Sequence, residues 1–221
     1  MAARANIVDL RQLLRERLPR ARLGFAPAAP RAMLATGVPA LDHALEGGLP
    51  VGETAELTGS GTAEVLHALL RQASADGRFV ALVDGADSFD ADAAEPAELA
   101  RLLWVRCRTA AEAVAATDLL LRDRNFPLVV LDLKLNPAAQ LRRLSGSVWH
   151  RFGRLREQHR TTLLVLTAQP FVNGATVRVQ LRREASLKCH DQSAAERLAS
   201  LEFTVLRQQL AGGEEPLARS A

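Results

Sequence analysis

The sequence predicts an α/β fold, with a mostly parallel, twisted sheet flanked by helices and antiparallel strands at the C-terminal edge of the sheet. Apolar runs of four to six residues alternate with helical patterns, which is typical of strands covered on both faces. The last two apolar runs follow each other without a long helix between them, which favours an antiparallel pair. The chain has 221 residues, of which 48% are hydrophobic and 24% are charged, the balance of a globular domain.

Each element is predicted from its periodicity and from the residues that end it. The predicted strands are Glu53–Leu57, Phe79–Val83, Leu102–Cys107, Leu128–Leu133, Leu163–Thr167, Val177–Leu181 and Leu201–Leu206. The predicted helices are Thr62–Ala75, which Gly77 ends, Ala110–Arg122, which Thr109 caps, and Pro137–Gln158, with a break near Gly146.

The two ends of the chain differ from this core, which is expected over residues 32–210. Residues 1–31 contain an amphipathic helix from Asn6 to Leu18 and then a linker rich in Ala and Pro. The apolar residues of this helix either pack on its own domain or dock on a neighbouring protein. The candidates for docking are Val8, Leu10, Leu14 and Leu18. The composition of residues 211–221 predicts a disordered tail.

Cysteine usage and hydropathy indicate a cytoplasmic protein. Cys107 and Cys189 are far apart in sequence and fit a reducing compartment better than a disulfide framework. No apolar run resembles a signal peptide or reaches the length of a membrane span, so no membrane partner is expected. The five histidines show no metal-ligand spacing, and we expect no metal site.

Charge is unevenly distributed along the chain. Residues 1–31 hold seven arginines and two acids, residues 32–100 hold twelve acids and two arginines, and residues 101–188 hold sixteen basic residues and six acids. This asymmetry fits either an acidic partner or a solvated surface in an arginine-rich protein.

A specific resemblance begins at residue 35. The segment Ala35-Thr36-Gly37 leads through Leu41-Asp42 and Gly47-Gly48-Leu49-Pro50 into the first core strand and then into Gly59-Ser60-Gly61-Thr62. This order of motifs resembles the entry into the ATPase core of the RecA and RadA recombinases. The resemblance covers about residues 32–210 and implies a RecA-like core with a nucleotide site after the first core strand.

The phosphate-binding loop departs from the pattern of that family. An active member has G-x-x-x-x-G-K-[ST], in which backbone N–H groups surround the phosphates, the lysine neutralises their charge and the hydroxyl binds magnesium. Here the loop is Gly59, Ser60, Gly61, Thr62 and Ala63, about two residues short. Thr62 stands in the place of the lysine, Ala63 in the place of the hydroxyl, and Glu64 follows. We expect no bound nucleotide and no cofactor.

Three further positions of the degenerate nucleotide site are carried over from the resemblance. Ala86 occupies the place of the catalytic glutamate, for which Asp84 or Asp87 could substitute. Asp132 matches the magnesium-associated aspartate, and its other interpretation is a cap at a strand end. Gln169 matches the glutamine that senses the γ-phosphate in recombinases. The sequence therefore predicts a protein that is not an enzyme.

Basic residues predict a surface for DNA or for an acidic partner. Its candidates are Arg142, Arg143, Arg151, Arg154, Arg178, Arg182 and Arg183. Trp149, Phe152 and Phe171 either stack on bases or belong to the core.

A short, degenerate RecA-like chain resembles the ImuA family, which is related to SulA. The resemblance implies a non-catalytic accessory protein in the bacterial SOS response and translesion DNA synthesis. It would bind an ImuB-type, Y-family-like polymerase partner and also a RecA filament or DNA, would associate with the nucleoid when engaged, and could self-associate. The alternatives are an active RecA-type ATPase with an unorthodox phosphate loop and a SulA-like inhibitor of the division GTPase FtsZ.

Overall fold

The computed structural model describes residues 32–183 and 192–208. The predicted N-terminal helix with Val8, Leu10, Leu14 and Leu18, its linker and the predicted tail over 211–221 lie outside the described residues. No helix of the described ranges is long and apolar enough to cross a membrane.

Nine strands and seven α-helices make up the described ranges. The strands are β1 (Met33–Leu34), β2 (Leu49–Pro50), β3 (Thr54–Gly59), β4 (Val80–Asp84), β5 (Leu102–Arg106), β6 (Leu128–Asp132), β7 (Thr162–Thr167), β8 (Val177–Arg182) and β9 (Glu202–Gln208). The helices are α1 (Pro39–Ala44), α2 (Thr62–Ala75), α3 (Pro96–Leu99), α4 (Ala110–Asp123), α5 (Ala138–Leu141), α6 (Ser147–His159) and α7 (Ala194–Ala199). A 3-10 turn spans Ala91–Ala93.

Seven strands form one sheet in the order β5-β4-β6-β7-β3-β8-β9, and β1 pairs with β2 in a separate two-stranded ladder. Every pair in the large sheet is parallel except β8–β9, which is antiparallel. The predicted fold class, including the antiparallel edge at the C-terminal end, is confirmed. The first core strand, β3, lies inside the sheet because the chain returns to its two sides with β7 and β8.

Helices cover both faces of the sheet, and each face has its own apolar core. On one face the buried side of α2, including Val65, Leu66 and Leu69, packs on β3 and β4 together with Leu201. On the other face α4 and α6 pack on alternate residues of β6 and β7. Trp149 and Phe152 of α6 are buried there, which decides their role in favour of the core.

Local signals explain where the long helices begin and end. The Thr109 hydroxyl accepts the Glu112 N–H at 3.2 Å and caps α4 as predicted. Gly77, with φ +71°, follows the last turn of α2. The predicted break near Gly146 separates α5 from α6. Five short elements had no sequence prediction, namely β1, β2, α1, α3 and α7, and the 3-10 turn had none either.

Candidate functional site

The loop after β3 is tied to the C-terminal half of the chain. Gly59 has φ +93°, and a Cβ there would lie 2.2 Å from the Leu181 carbonyl oxygen in β8. Gly61 has φ +88°, and its Cβ would lie 2.3 Å from Leu201 Cδ2. The Ser60 N–H donates to the Leu181 carbonyl at 3.2 Å. Both glycines therefore have a packing reason to be there that involves no ligand.

A carboxylate of the protein itself occupies the first turn of α2. Glu64 accepts hydrogen bonds from its own backbone N–H and from Arg183, and Arg197 Nε lies 3.7 Å from its Oε1. The Arg183 N–H also donates to Ser60 Oγ at 2.9 Å. Burial raises the pKa of Glu64, but the hydrogen bonds and the two guanidinium groups outweigh burial and hold that pKa below its usual range. The helix start thus carries an internal anion with two arginine partners.

Thr62 and Ala63, which the resemblance sets in the places of the lysine and the magnesium-binding hydroxyl, begin α2. Thr62 is 1% exposed, so its side chain belongs to the protein interior. Ala63 is exposed and has no polar side-chain atom.

The turn after β4 is held by Asp84 and leaves Ala86 half-buried. The buried Asp84 carboxylate accepts the N–H groups of Ser88 and Phe89, each at 2.8 Å, and the Trp104 indole N–H at 3.3 Å. Asp87 pairs with Arg106 through contacts of 2.6 and 2.7 Å. Both acids that could have replaced the glutamate are therefore engaged in holding the turn or the edge strand.

Asp132 ends β6 beside Asp84, its register partner on β4. Burial raises the pKa of Asp132 and the Asp84 carboxylate adds to this, although the Lys134 N–H donates to Asp132 at 2.9 Å. Gln169, after β7, is exposed and makes no hydrogen bond with the described residues. Because the strands are parallel, Asp84, Asp132 and the loop after Gly59 share the carboxyl edge of the sheet. β7 separates the Asp132 strand from β3, which places these two strands about 10 Å apart.

Three of the seven arginines predicted for the basic surface form ion pairs in the structure. Arg151 pairs with Asp118 at 2.8 Å, Arg178 pairs with Glu56 at 2.6 Å, and Arg183 pairs with Glu64. Within the described part of the chain, the remaining candidates are exposed and form no ion pair; these are Arg142, Arg143, Arg154 and Arg182.

The sequence analysis missed a buried carboxylate in β3. Glu56 is fully buried, and its Oε1 accepts the Thr167 hydroxyl at 3.0 Å and the N–H groups of Phe171 at 2.7 Å and Val172 at 3.0 Å. Its Oε2 accepts Arg178 Nε at 2.6 Å. This one side chain anchors the segment that connects β7 to β8. The signal in the sequence was an acid within a strand predicted to be buried.

Arg156 of α6 is the second residue that was missed. It is 6% exposed and donates to the Gly52 carbonyl and, at 2.7 Å, to the Glu53 carboxylate. It thereby joins α6 to the turn that precedes β3. An arginine inside the fold cannot be recognised from the sequence without its partners.

Comparison with known structures establishes the class of fold. The crystal structure of the RadB recombinase matches with a TM-score of 0.56 and 19% sequence identity, over 70% of this chain and 85% of that chain. No family model and no curated protein matches the sequence. The sheet topology and this match show a RecA-like fold.

Proposed function

We propose that this RecA-like chain does not hydrolyse ATP and works by binding other proteins in bacterial DNA-damage tolerance. The observation that carries the proposal is the Glu64 carboxylate at the start of α2, paired with Arg183 and Arg197. This is the end of the helix at which the resembling recombinases bind phosphate groups.

Electrostatics supports the absence of a nucleotide. A helix N-terminus attracts an anion, and here Glu64 already supplies one. A triphosphate would bring several more negative charges next to Glu64 and would have to compete with that carboxylate for Arg183 and Arg197, which already contact it. The chain provides no lysine in the loop to offset that repulsion. Binding of a phosphate chain is therefore expected to be unfavourable at this position.

The pathway rests on the resemblance to the ImuA family. In that role the protein acts in the SOS response and translesion synthesis, and it bridges an ImuB-type, Y-family-like polymerase partner and a RecA filament or DNA. The exposed Arg142, Arg143, Arg154 and Arg182 remain candidates for the acidic partner or DNA. Val8, Leu10, Leu14 and Leu18 remain candidates for protein docking. The protein is expected in the cytoplasm and on the nucleoid when engaged.

Calorimetry with ATP and Mg²⁺, together with a hydrolysis assay, tests the loss of the nucleotide site. We expect neither heat nor turnover up to about 1 mM ATP, the upper end of ordinary KM values. The variants Glu64→Gln and Thr62→Lys, separately and combined, show whether removing the internal anion restores binding. Micromolar binding by the wild type, or turnover that Asp132→Asn abolishes, would establish the active ATPase instead.

Partner binding is tested separately. The full-length protein is titrated by biolayer interferometry against a purified ImuB-type protein and a RecA filament, and its effect on FtsZ polymerisation is followed by light scattering. Saturable binding to the polymerase partner, with FtsZ unaffected, is expected. Inhibition of FtsZ without polymerase binding would select the SulA-like function.

A further inference from the structure

The segment of residues 85–101, which connects β4 to β5 and contains α3, lies along one side of α2. Ser74 Oγ of α2 donates to the Ala97 carbonyl at 2.9 Å, and the Phe89 ring stacks on the His67 ring with 5.3 Å between the centroids. His67 and Ser74 are two helical turns apart, so both project from the same side of α2. The segment is thereby held against the helix at both of its ends.

Buried polar atoms without hydrogen-bond partners lie at this contact. Glu98 of α3 is 4% exposed, and neither of its carboxylate oxygens has a hydrogen-bond partner among the described residues. Arg71 Nε lies 4.0 Å from Glu98 Oε1, which is too long for a hydrogen bond. His67 is half-buried, and its Nδ1 is buried and likewise finds no partner in the described chain. Buried polar groups are normally hydrogen-bonded, so a change in protonation can alter the stability of this contact.

Protonation of His67 would destabilise the contact. A neutral imidazole carries an N–H on one ring nitrogen, whereas the charged imidazolium carries one on both. Nδ1 would then be a buried donor without an acceptor as long as the segment covers it. The positive charge is also disfavoured, because burial lowers the pKa of His67 and the Arg71 guanidinium adds to this.

Other charged groups near His67 do not reverse this direction. The carboxylates that favour the charged imidazole are Glu98 of α3, Asp90 of the segment and Glu64 in the first turn of α2. On the β5 side the charged groups are Arg106, which lies over the Trp104 ring, and Asp87, its ion-pair partner. The pKa of His67 nevertheless stays below its usual value, so the ring takes up a proton more readily once the segment has left α2.

We propose that residues 85–101 form a pH-sensitive latch, which lies closed on α2 while His67 is neutral and is released when His67 is protonated. Release uncovers the side of α2 that carries His67, Arg71 and Ser74, and the edge of the contact between Phe89 and Trp104. The stabilisation of the closed latch is fully present above about pH 6.5 and is lost as pH falls through the lowered pKa of His67. The proposal does not rest on the proposed function, because it requires neither a partner nor a nucleotide.

Hydrogen exchange of the full-length protein, followed by mass spectrometry at about pH 7.5 and about pH 5.5, tests the latch. The reporters are the Leu99, Ala100 and Arg101 N–H groups, which donate to carbonyls within residues 95–98. Protection factors remove the intrinsic pH dependence of exchange. A histidine with a pKa of about 6.5 in the open state favours opening by at most about tenfold between these pH values, so protection at residues 99–101 should fall severalfold. Protection of β6 should stay the same.

Variants assign the effect to His67. His67→Phe keeps an aromatic ring against Phe89 but cannot be protonated, so protection at residues 99–101 should no longer depend on pH. His150→Phe is the matched control, since His150 is exposed on α6, and it should keep the wild-type dependence. Glu98→Gln removes a carboxylate that favours the charged imidazole, and the loss of protection in acid should persist or increase. Thermal unfolding verifies that each variant is folded, and His67→Gln replaces His67→Phe if that variant is not.

Four outcomes would overturn the latch. These are equal protection of residues 99–101 at both pH values, a pH dependence that persists without His67, its disappearance in Glu98→Gln, and an equal loss of protection in β6, which would indicate unfolding of the whole domain. Stronger protection in acid would also contradict it, because His67 and Glu98 would then form an ion pair that closes the segment more firmly.

Discussion

Glu56 and Arg178 form an ion pair between neighbouring strands, and the substitution Glu56→Gln isolates it. Three hydrogen bonds, from Thr167, Phe171 and Val172, end on Oε1 of Glu56, and the Arg178 Nε–H ends on Oε2. A glutamine with its oxygen in the Oε1 position keeps the first three. Its NH₂ group then faces the Arg178 N–H, so that two donors oppose each other and the guanidinium loses its counter-charge.

The expected loss in free energy of unfolding is about 3 kcal/mol. Breaking a buried pair by removing one charge costs about 3–5 kcal/mol, and the lower end applies because the Arg178 side chain keeps 21% of its exposure and can be partly hydrated. For a chain of this length the midpoint of thermal unfolding should fall by about 6–12 °C. Urea denaturation followed by circular dichroism measures the free energy directly.

A double-mutant cycle and a matched control make the result interpretable. Arg178→Met added to Glu56→Gln removes the uncompensated charge and should return the stability to within about 1–2 kcal/mol of wild type. Asp87→Asn breaks the fully exposed pair with Arg106 and should leave the midpoint almost unchanged. A Glu56→Gln protein as stable as wild type, or a double variant less stable than the single one, would refute the reasoning.

Three further predictions concern other residues of the described chain. Because burial, with the Asp84 carboxylate adding to it, raises the pKa of Asp132, the folded state keeps a proton that the unfolded state loses near pH 4. The stability from Asp132 therefore declines as pH rises through that raised pKa, and Asp132→Asn should stabilise the protein in urea denaturation at about pH 7 but not at about pH 3. Gly59→Ala should lower the free energy of unfolding by at least about 3 kcal/mol, since the new Cβ would strike the neighbouring strand. Gly77 has a similar φ, but a Cβ there would meet no atom within 4 Å, so Gly77→Ala should lower it by only about 1 kcal/mol in the same assay. Equal losses would contradict this account. Both carboxylate oxygens of Glu98 are buried without a hydrogen-bond partner in the described chain, and Arg71 Nε lies 4.0 Å from Oε1. Because Arg71 is half-exposed and can be hydrated, Glu98→Met should raise the free energy of unfolding by about 1 kcal/mol. A loss measured by thermal unfolding would show that the pair with Arg71 outweighs the burial of Glu98.

The long elements could be predicted because their signals are local. The helix predicted over Thr62–Ala75 has those bounds in the structure, and Thr109 caps α4 through a residue three positions away. The strands of the large sheet agree within one or two residues with the predicted apolar runs. Short elements such as α1 and α3 were missed, since four to six residues do not complete enough turns to establish a period.

The candidate site was predictable only in part. The resemblance predicted the loop at Gly59–Ala63 and the replacement at Ala86 as parts of the site, since these are positions within contiguous motifs. The partners of these residues are distant in the chain, however. Arg183 is 119 residues from Glu64, and Arg178 is 122 residues from Glu56. Three of the arginines assigned to a basic surface, Arg151, Arg178 and Arg183, were therefore found in ion pairs.

By itself, the sequence determined the α/β class, the order of the long elements and the absence of a lysine in the loop after the first core strand, because periodicity, caps and residue identity are properties of neighbouring residues. Only the tertiary structure decided which charges are neutralised and where a cavity remains. The parallel sheet brings β8 beside β3, which delivers Arg178 to Glu56 and Arg183 to Glu64. It also sets α6 against the segment before β8, so that Arg154 and Gly153 line a space that neither residue specifies alone.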